Sequence, residues 1–176
     1  MRIDRKKIGL GIVIGAVFLC FYHLMFVKSA FSPISQSYGV APDFVLSDID
    51  GHKICLHEHI EEHPVLLYFW ATWCPACRAA RPALIKQYDR MRNCKLEVLA
   101  INVGVGDFFK RVRSYQEHHP MPFRVLYDHG SKVTQVYRVE GIPLFVIIGS
   151  SGEVLYRGHR LPEDPLQYLG RYCGAE

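Results

Sequence analysis

The chain has 176 residues, 49% of them hydrophobic and 22% charged, with a formal net charge of +4. That length suits one globular domain with a short extension, and neither an internal repeat nor a low-complexity tract interrupts it. The positive balance is modest, basic residues past the N-terminus alternate with acids, and no stacking-aromatic motif of an RNA-binding module is present, so no nucleic-acid partner is expected.

Arg2, Arg5, Lys6 and Lys7 precede an apolar run, Ile8–Val27, whose only titratable side chain is His23. Twenty such residues span about 30 Å of hydrocarbon as a helix, which predicts a transmembrane anchor over 8–27. Only Lys28 follows closely, so the positive-inside rule puts residues 1–7 in the cytoplasm and the rest outside. A cleaved signal peptide is the alternative, but Lys28-Ser29-Ala30 is a poor small-x-small site and the apolar run is long for a signal core. Bulky Phe18 and Leu19 before Cys20 argue against lipidation there, and Cys20 and His23 read as passive residues of the span. Residues 28–40 are mostly small and polar with one proline, a flexible linker, and 41–176 have the length of one domain.

Within that domain, Phe44–Leu46 and Lys53–Leu56 flank Asp50-Gly51 and predict an N-terminal hairpin. His57 and His59 alternate on a strand end or loop near His52 and His63; without a reinforcing cysteine or carboxylate pair they read as polar surface, and no metal is expected. Val65–Ala71 is a short apolar run, a buried central strand. Apolar residues at Ala79, Ala83, Leu84 and Tyr88 predict a helix over 78–91, kinked at Pro82. A second core strand follows at Leu96–Asn102, then helices at 107–118 and 131–137. Strands Leu144–Ile148 and Val154–Arg157 are joined by Gly149-Ser150-Ser151-Gly152, and a closing helix covers 162–172. The order is that of an α/β fold with a mixed central sheet flanked by helices.

Trp73-Cys74-Pro75-Ala76-Cys77 stands between the first core strand and its helix. Free backbone amides and the positive end of the helix dipole favour a thiolate there, and no acidic residue lies between Glu62 and Asp89, while Arg78, Arg81 and Lys86 follow. Cys74 is the expected nucleophile and Cys77, one turn inside, the resolving cysteine. A zinc site would need a second close ligand pair, and Cys20, Cys55, Cys94 and Cys173 are scattered singly. A purely structural bridge across two residues would constrain the unfolded chain little. Thiol-disulfide exchange with protein partners is the chemistry expected, with no cofactor.

Ala41-Pro42-Asp43-Phe44, the segment Phe69 to Arg78, Ile101-Asn102-Val103-Gly104 and Gly141-Ile142-Pro143 together resemble the membrane-anchored thioredoxin-like proteins of the TlpA/ResA/CcmG group, over roughly residues 40–172. The resemblance implies a thioredoxin-like fold with an N-terminal hairpin extension behind one transmembrane helix. It implies a cis-proline at Pro143 facing the motif, with Ile142 offering backbone groups to a substrate peptide beside Trp73, Pro75 and Ala76. It also implies a catalytic domain on the periplasmic side of a bacterial inner membrane, reducing partners such as apocytochrome c or copper-site cysteines and re-reduced by a membrane electron carrier. Three positions depart from the pattern: Tyr68 stands where thioredoxins carry a buried Asp, Ala80 where relatives carry a Glu, and Phe145 where a Thr is common. Without those carboxylates, water or the Tyr68 hydroxyl would have to serve Cys77.

Other readings stay open at this stage. The helix-terminal thiolate makes the couple more oxidising, which suits an oxidase or isomerase. Two thiolates suit copper(I) in a non-enzymatic binding module. A peroxiredoxin would share the fold, but Ala71 occupies the position where a Thr is expected. Cys55, Cys94 and Cys173 have at most one further disulfide among them, and buried, inert thiols are the simpler expectation.

Overall fold

Val65–Trp70 (β3) forms a strand in which all six residues are buried, as the near-continuous apolar run of a strand covered on both faces of its sheet. It is the pivot of a computed structural model that describes residues 39–169. The expected anchor, most of the linker, Cys20, His23 and Cys173 lie outside those residues. Among the described residues no helix is long and apolar enough to cross a membrane.

The other strands are Val45–Asp48 (β1), Lys53–Cys55 (β2), Glu97–Asn102 (β4), Arg124–Tyr127 (β5), Leu144–Ile148 (β6) and Val154–Gly158 (β7). They form one seven-stranded sheet in the order β2-β1-β5-β4-β3-β6-β7. β4 runs parallel to β3 and to β5, while β6 pairs antiparallel with β3 and with β7. The helices are Leu56–Glu62 (α1), Pro75–Asn93 (α2), Phe109–His118 (α3) and Lys132–Val136 (α4). The result is a mixed sheet carrying an antiparallel N-terminal hairpin on one side. Expectation and structure differ at three elements. β5 was not anticipated, α1 stands where a strand end or loop was expected, and the closing segment contains a 3-10 turn at Pro165–Tyr168 within the described residues.

The entrance segment is tied down by specific bonds. The Asp43 carboxylate accepts the N–H groups of Phe44 at 2.8 Å and His57 at 3.0 Å, so a distant side chain caps α1 where Cys55 at the N-cap does not. The Tyr137 hydroxyl donates to the Pro42 carbonyl at 2.7 Å, and its ring packs against Phe44 and Phe69. Because α1 is a helix with Leu56 and Ile60 buried, the nearby histidines do not converge. His57 faces Glu61, His59 faces Glu97, His52 faces Asp48 and His63 faces Glu62, four carboxylates in place of one common point.

Asp48 ties the hairpin to the sheet. Its carboxylate accepts the N–H groups of Asp50 and His52 and lies 3.4 Å from the Arg124 guanidinium on β5. Burial pushes this carboxyl up, but the His52 and Asp50 N–H groups and the His52 ring together outweigh it and hold it below the ordinary value. A carboxyl whose folded pKa is depressed contributes stability that is complete above the unfolded value and lost as pH falls through the folded one. Acid titration of unfolding will therefore show a loss of stability below pH ~4 that Asp48→Asn makes smaller.

Gly104 closes the turn after β4 with φ +72°, and a Cβ there would lie 2.4 Å from the Asp128 carbonyl oxygen. Left-handed strain and a backbone clash combine, so Gly104→Ala is expected to cost at least about 3 kcal/mol in denaturant unfolding.

Candidate active site

Cys74 is the N-cap of α2, Pro75 follows at its first position, and the two cysteines form a disulfide. Proline fits there because its missing N–H would have had no helical partner. The Cys77 N–H donates to the Cys74 sulfur at 3.0 Å, so the sulfur does what a capping oxygen usually does. A sulfur at this position gains from the amide dipoles when it is negative. The helix begins three residues earlier than the apolar spacing suggested, because that spacing starts beyond the capping residues.

Both sulfur-bearing residues are buried, Cys74 3% and Cys77 1% exposed. Around them Trp73, Pro75 and Ala76 are exposed and Ile142 is half-buried. The Ile142–Pro143 peptide bond is cis, and the Ile142 carbonyl oxygen lies 3.7 Å from the Cys74 sulfur. On the other side of this turn His159 Nδ1 lies 2.9 Å from the Pro143 carbonyl, a contact in which only the ring N–H can donate. Of the five residues expected to meet a substrate, Trp73, Pro75 and Ala76 are exposed chain neighbours of the cysteines, Ile142 reaches the Cys74 sulfur through its carbonyl, and Pro143 is buried.

Beneath the pair, Tyr68 is 1% exposed and its ring stacks on Phe145 at 5.1 Å. Phe145 is wholly buried, so the departure at that position alters the core and presents no side chain at the surface. The Tyr68 hydroxyl donates to the Cys77 backbone carbonyl at 2.9 Å. Burial pushes this phenol well above its ordinary value, which keeps it a neutral donor. Its proton is committed to that carbonyl.

The sequence reading finds no carboxylate near the motif, yet the fold delivers one. Asp107, in the loop between β4 and α3, is buried and accepts the Thr72 N–H at 2.8 Å, the Thr72 hydroxyl, and the Asn102 amide at 2.8 Å. Arg111 lies 3.8 Å from the same carboxylate. The Trp73 indole N–H donates to the Val105 carbonyl at 2.8 Å, and Gly106 sits so close that a Cβ would meet the indole nitrogen at 3.0 Å. The β4–α3 loop therefore holds Thr72 and Trp73, the two residues that lead into Cys74. Only the Asn102-to-Asp107 turn, polar at both ends with two glycines, hints at this in the sequence.

Of the other cysteines, Cys55 is a half-buried free thiol and Cys94, after the end of α2, is held in a disulfide, against the expectation of an inert thiol.

The model of the AhpC/TSA family matches residues 39–157. The thiol-disulfide oxidoreductase ResA of Geobacillus kaustophilus is 32% identical over 131 residues, covering 73% of this chain and 74% of that protein. The ResA of Bacillus thuringiensis is 28% identical over 170 residues, 96% of this chain and 95% of its own. Among solved structures, a putative thiol:disulfide interchange protein DsbE from Chlorobium tepidum superposes with a TM-score of 0.69 at 25% identity, covering 79% of this chain and 99% of that one. A putative thioredoxin from Neisseria meningitidis gives 0.64 at 30% identity, covering 74% and 86%.

Proposed function

We propose, because this chain belongs to the AhpC/TSA family and is a thiol-disulfide oxidoreductase of the ResA and DsbE type, that it works as a membrane-tethered reductase of protein disulfides outside the cytoplasm. The observation that carries the chemistry is the Cys74 sulfur at a helix N-cap, accepting an amide N–H and facing a cis-proline turn.

In the reduced protein the Cys74 thiolate attacks one sulfur of a partner disulfide and expels the other as a thiolate. The substrate backbone lies along Ile142 and Pro143, and Trp73, Pro75 and Ala76 form the rim against which it rests. Cys77 then loses its proton and attacks Cys74, forming the Cys74–Cys77 disulfide and releasing the second partner sulfur. Two electrons have passed from the protein to its partner, and a membrane electron carrier returns them. With the Tyr68 proton held by a carbonyl, water is the acceptor we assign for the Cys77 proton.

Location in a bacterial inner membrane, with the domain on the periplasmic side, is supported by the basic residues ahead of the apolar run at 8–27. The disulfide at Cys94 also fits an oxidising compartment. Partners such as apocytochrome c or copper-site thiols belong to the same reading. The capped sulfur itself favours a second one, a disulfide donor or isomerase, because stabilising the Cys74 thiolate makes the couple more oxidising.

Capture tests the exchange. Cys77→Ser expressed in its host should accumulate a mixed disulfide through Cys74, released by dithiothreitol and identified by mass spectrometry. Recovery of no covalent partner, with the thiol of Cys74 intact, would count against protein disulfides as the substrate.

A further inference from the structure

Next to the disulfide, α3 and the loop before it present a surface that the exchange steps leave unused. Thr72, Phe108, Lys110, Arg111, Tyr115 and His119 are among the residues lining an open groove of about 740 Å³. Its floor is aromatic: Phe108 is 53% exposed with the Arg111 guanidinium 4.6 Å from its ring, and Tyr115 carries Arg81 at 5.5 Å. Its fixed charge is one-sided, for Lys110 and Arg111 line it and no carboxylate does. The nearest acid, Asp107, is buried and saturated by Thr72, Asn102 and Arg111, and Glu117 on α3 is turned to Arg113 at 3.9 Å. Lys110 on the groove and Arg78 beside Thr72 have no carboxylate partner among the described residues. Thr72 joins the groove wall to Trp73 and Cys74, so a ligand lying in the groove lies alongside the reactive sulfur.

We infer that this groove receives an acidic stretch of the partner polypeptide next to its target disulfide, with carboxylates meeting Lys110 and Arg111 and an apolar side chain against Phe108. The inference rests on the exchange reading above and adds the class of substrate. A polypeptide is the occupant because the ligand must bring a sulfur to Cys74 while filling a groove beside it. Lys110, without a carboxylate partner among the described residues, and Arg111 over the aromatic floor reject a basic segment and steer an acidic one toward the site.

Two synthetic peptides decide it, each with the same central intramolecular disulfide, one flanked by glutamates and one by lysines. The reduced full-length protein in detergent is mixed with each, and Cys74 oxidation is followed by the fluorescence of neighbouring Trp73. The acidic peptide should react on the order of ten-fold faster at low salt, the advantage should vanish near 0.5 M salt, and Lys110→Glu should bring the two rates together. Equal rates at low salt, or faster reaction with the basic peptide, would overturn the inference. Hydroxyethyl disulfide separates the two levels of the argument. Its oxidation of the protein without any charge preference between peptides defeats the groove alone, whereas no reaction with it or with either peptide defeats the exchange reading and the groove together.

Discussion

Replacing Cys74 by serine is expected to reduce disulfide exchange by about three orders of magnitude or more, because a serine hydroxyl is a far weaker nucleophile toward sulfur than a cysteine thiolate. The fold should survive, since serine is itself a favoured N-cap and its oxygen can accept the Cys77 N–H that the sulfur now accepts. The matching change at Cys77 has a different signature. With Cys77→Ser the first attack proceeds and turnover stops at the mixed disulfide, so a single stoichiometric burst is expected where Cys74→Ser shows none. Stopped-flow oxidation by a small disulfide, with thiol counting before and after, distinguishes the two. A burst of equal size in both variants, or none in either, would remove the distinction between an attacking and a resolving cysteine.

Asp107→Ala is expected to be among the most destabilising single changes, at about 3 kcal/mol or more, because it leaves the Thr72 N–H, the Asn102 amide and the Arg111 guanidinium without their acceptor in or beside the core. Asp107→Asn is milder in volume but presents donors to donors, so it too should cost stability. The effect is not confined to folding. Thr72 and Trp73 are held by the β4–α3 loop and lead directly into Cys74, so a looser loop should slow exchange in molecules that remain folded. Denaturant unfolding gives the first quantity, and single-turnover rates measured well below the transition give the second. A change under about 0.5 kcal/mol with an unaltered rate would show that Asp107 positions nothing.

The parts of this fold legible in the sequence were those set by local pattern. An apolar run bounded by polar residues gave β3, and Leu144–Ile148 appeared at the bounds expected. A Gly-Ser turn marked the β6–β7 hairpin because few residues other than glycine tolerate its geometry. β5 was missed since four residues, two of them buried, make too short an alternation to register. α1 was obscured by its histidines: Leu56 and Ile60 are spaced for a helix, but the polar residues between them read equally well as loop. The closing helix was inferred from 162–172, yet Pro162 and Pro165 both withhold amide protons, and the described part forms a 3-10 turn.

At the site, the CxxC pair was visible as a local spacing, whereas the cis bond at Ile142-Pro143 was legible only through the family resemblance, since the segment alone reads as an ordinary loop. The Asp107 bonds to Thr72 were not visible, since they join residues 35 apart and depend on the parallel pairing of β3 with β4. Tyr68 shows the opposite case. Its place, where thioredoxins carry a buried Asp, suggested a group for the Cys77 sulfur, and the structure gives its proton to the Cys77 carbonyl.

Whether Cys74–Cys77 is a working couple or a structural bridge is decided by its reduction potential. Equilibrating the full-length protein against glutathione or dithiothreitol should give a value between roughly −270 and −120 mV, the span of known exchange proteins. A result near −270 mV supports the reductase and one near −120 mV the disulfide donor. A potential below about −300 mV, where structural disulfides lie, would contradict the account.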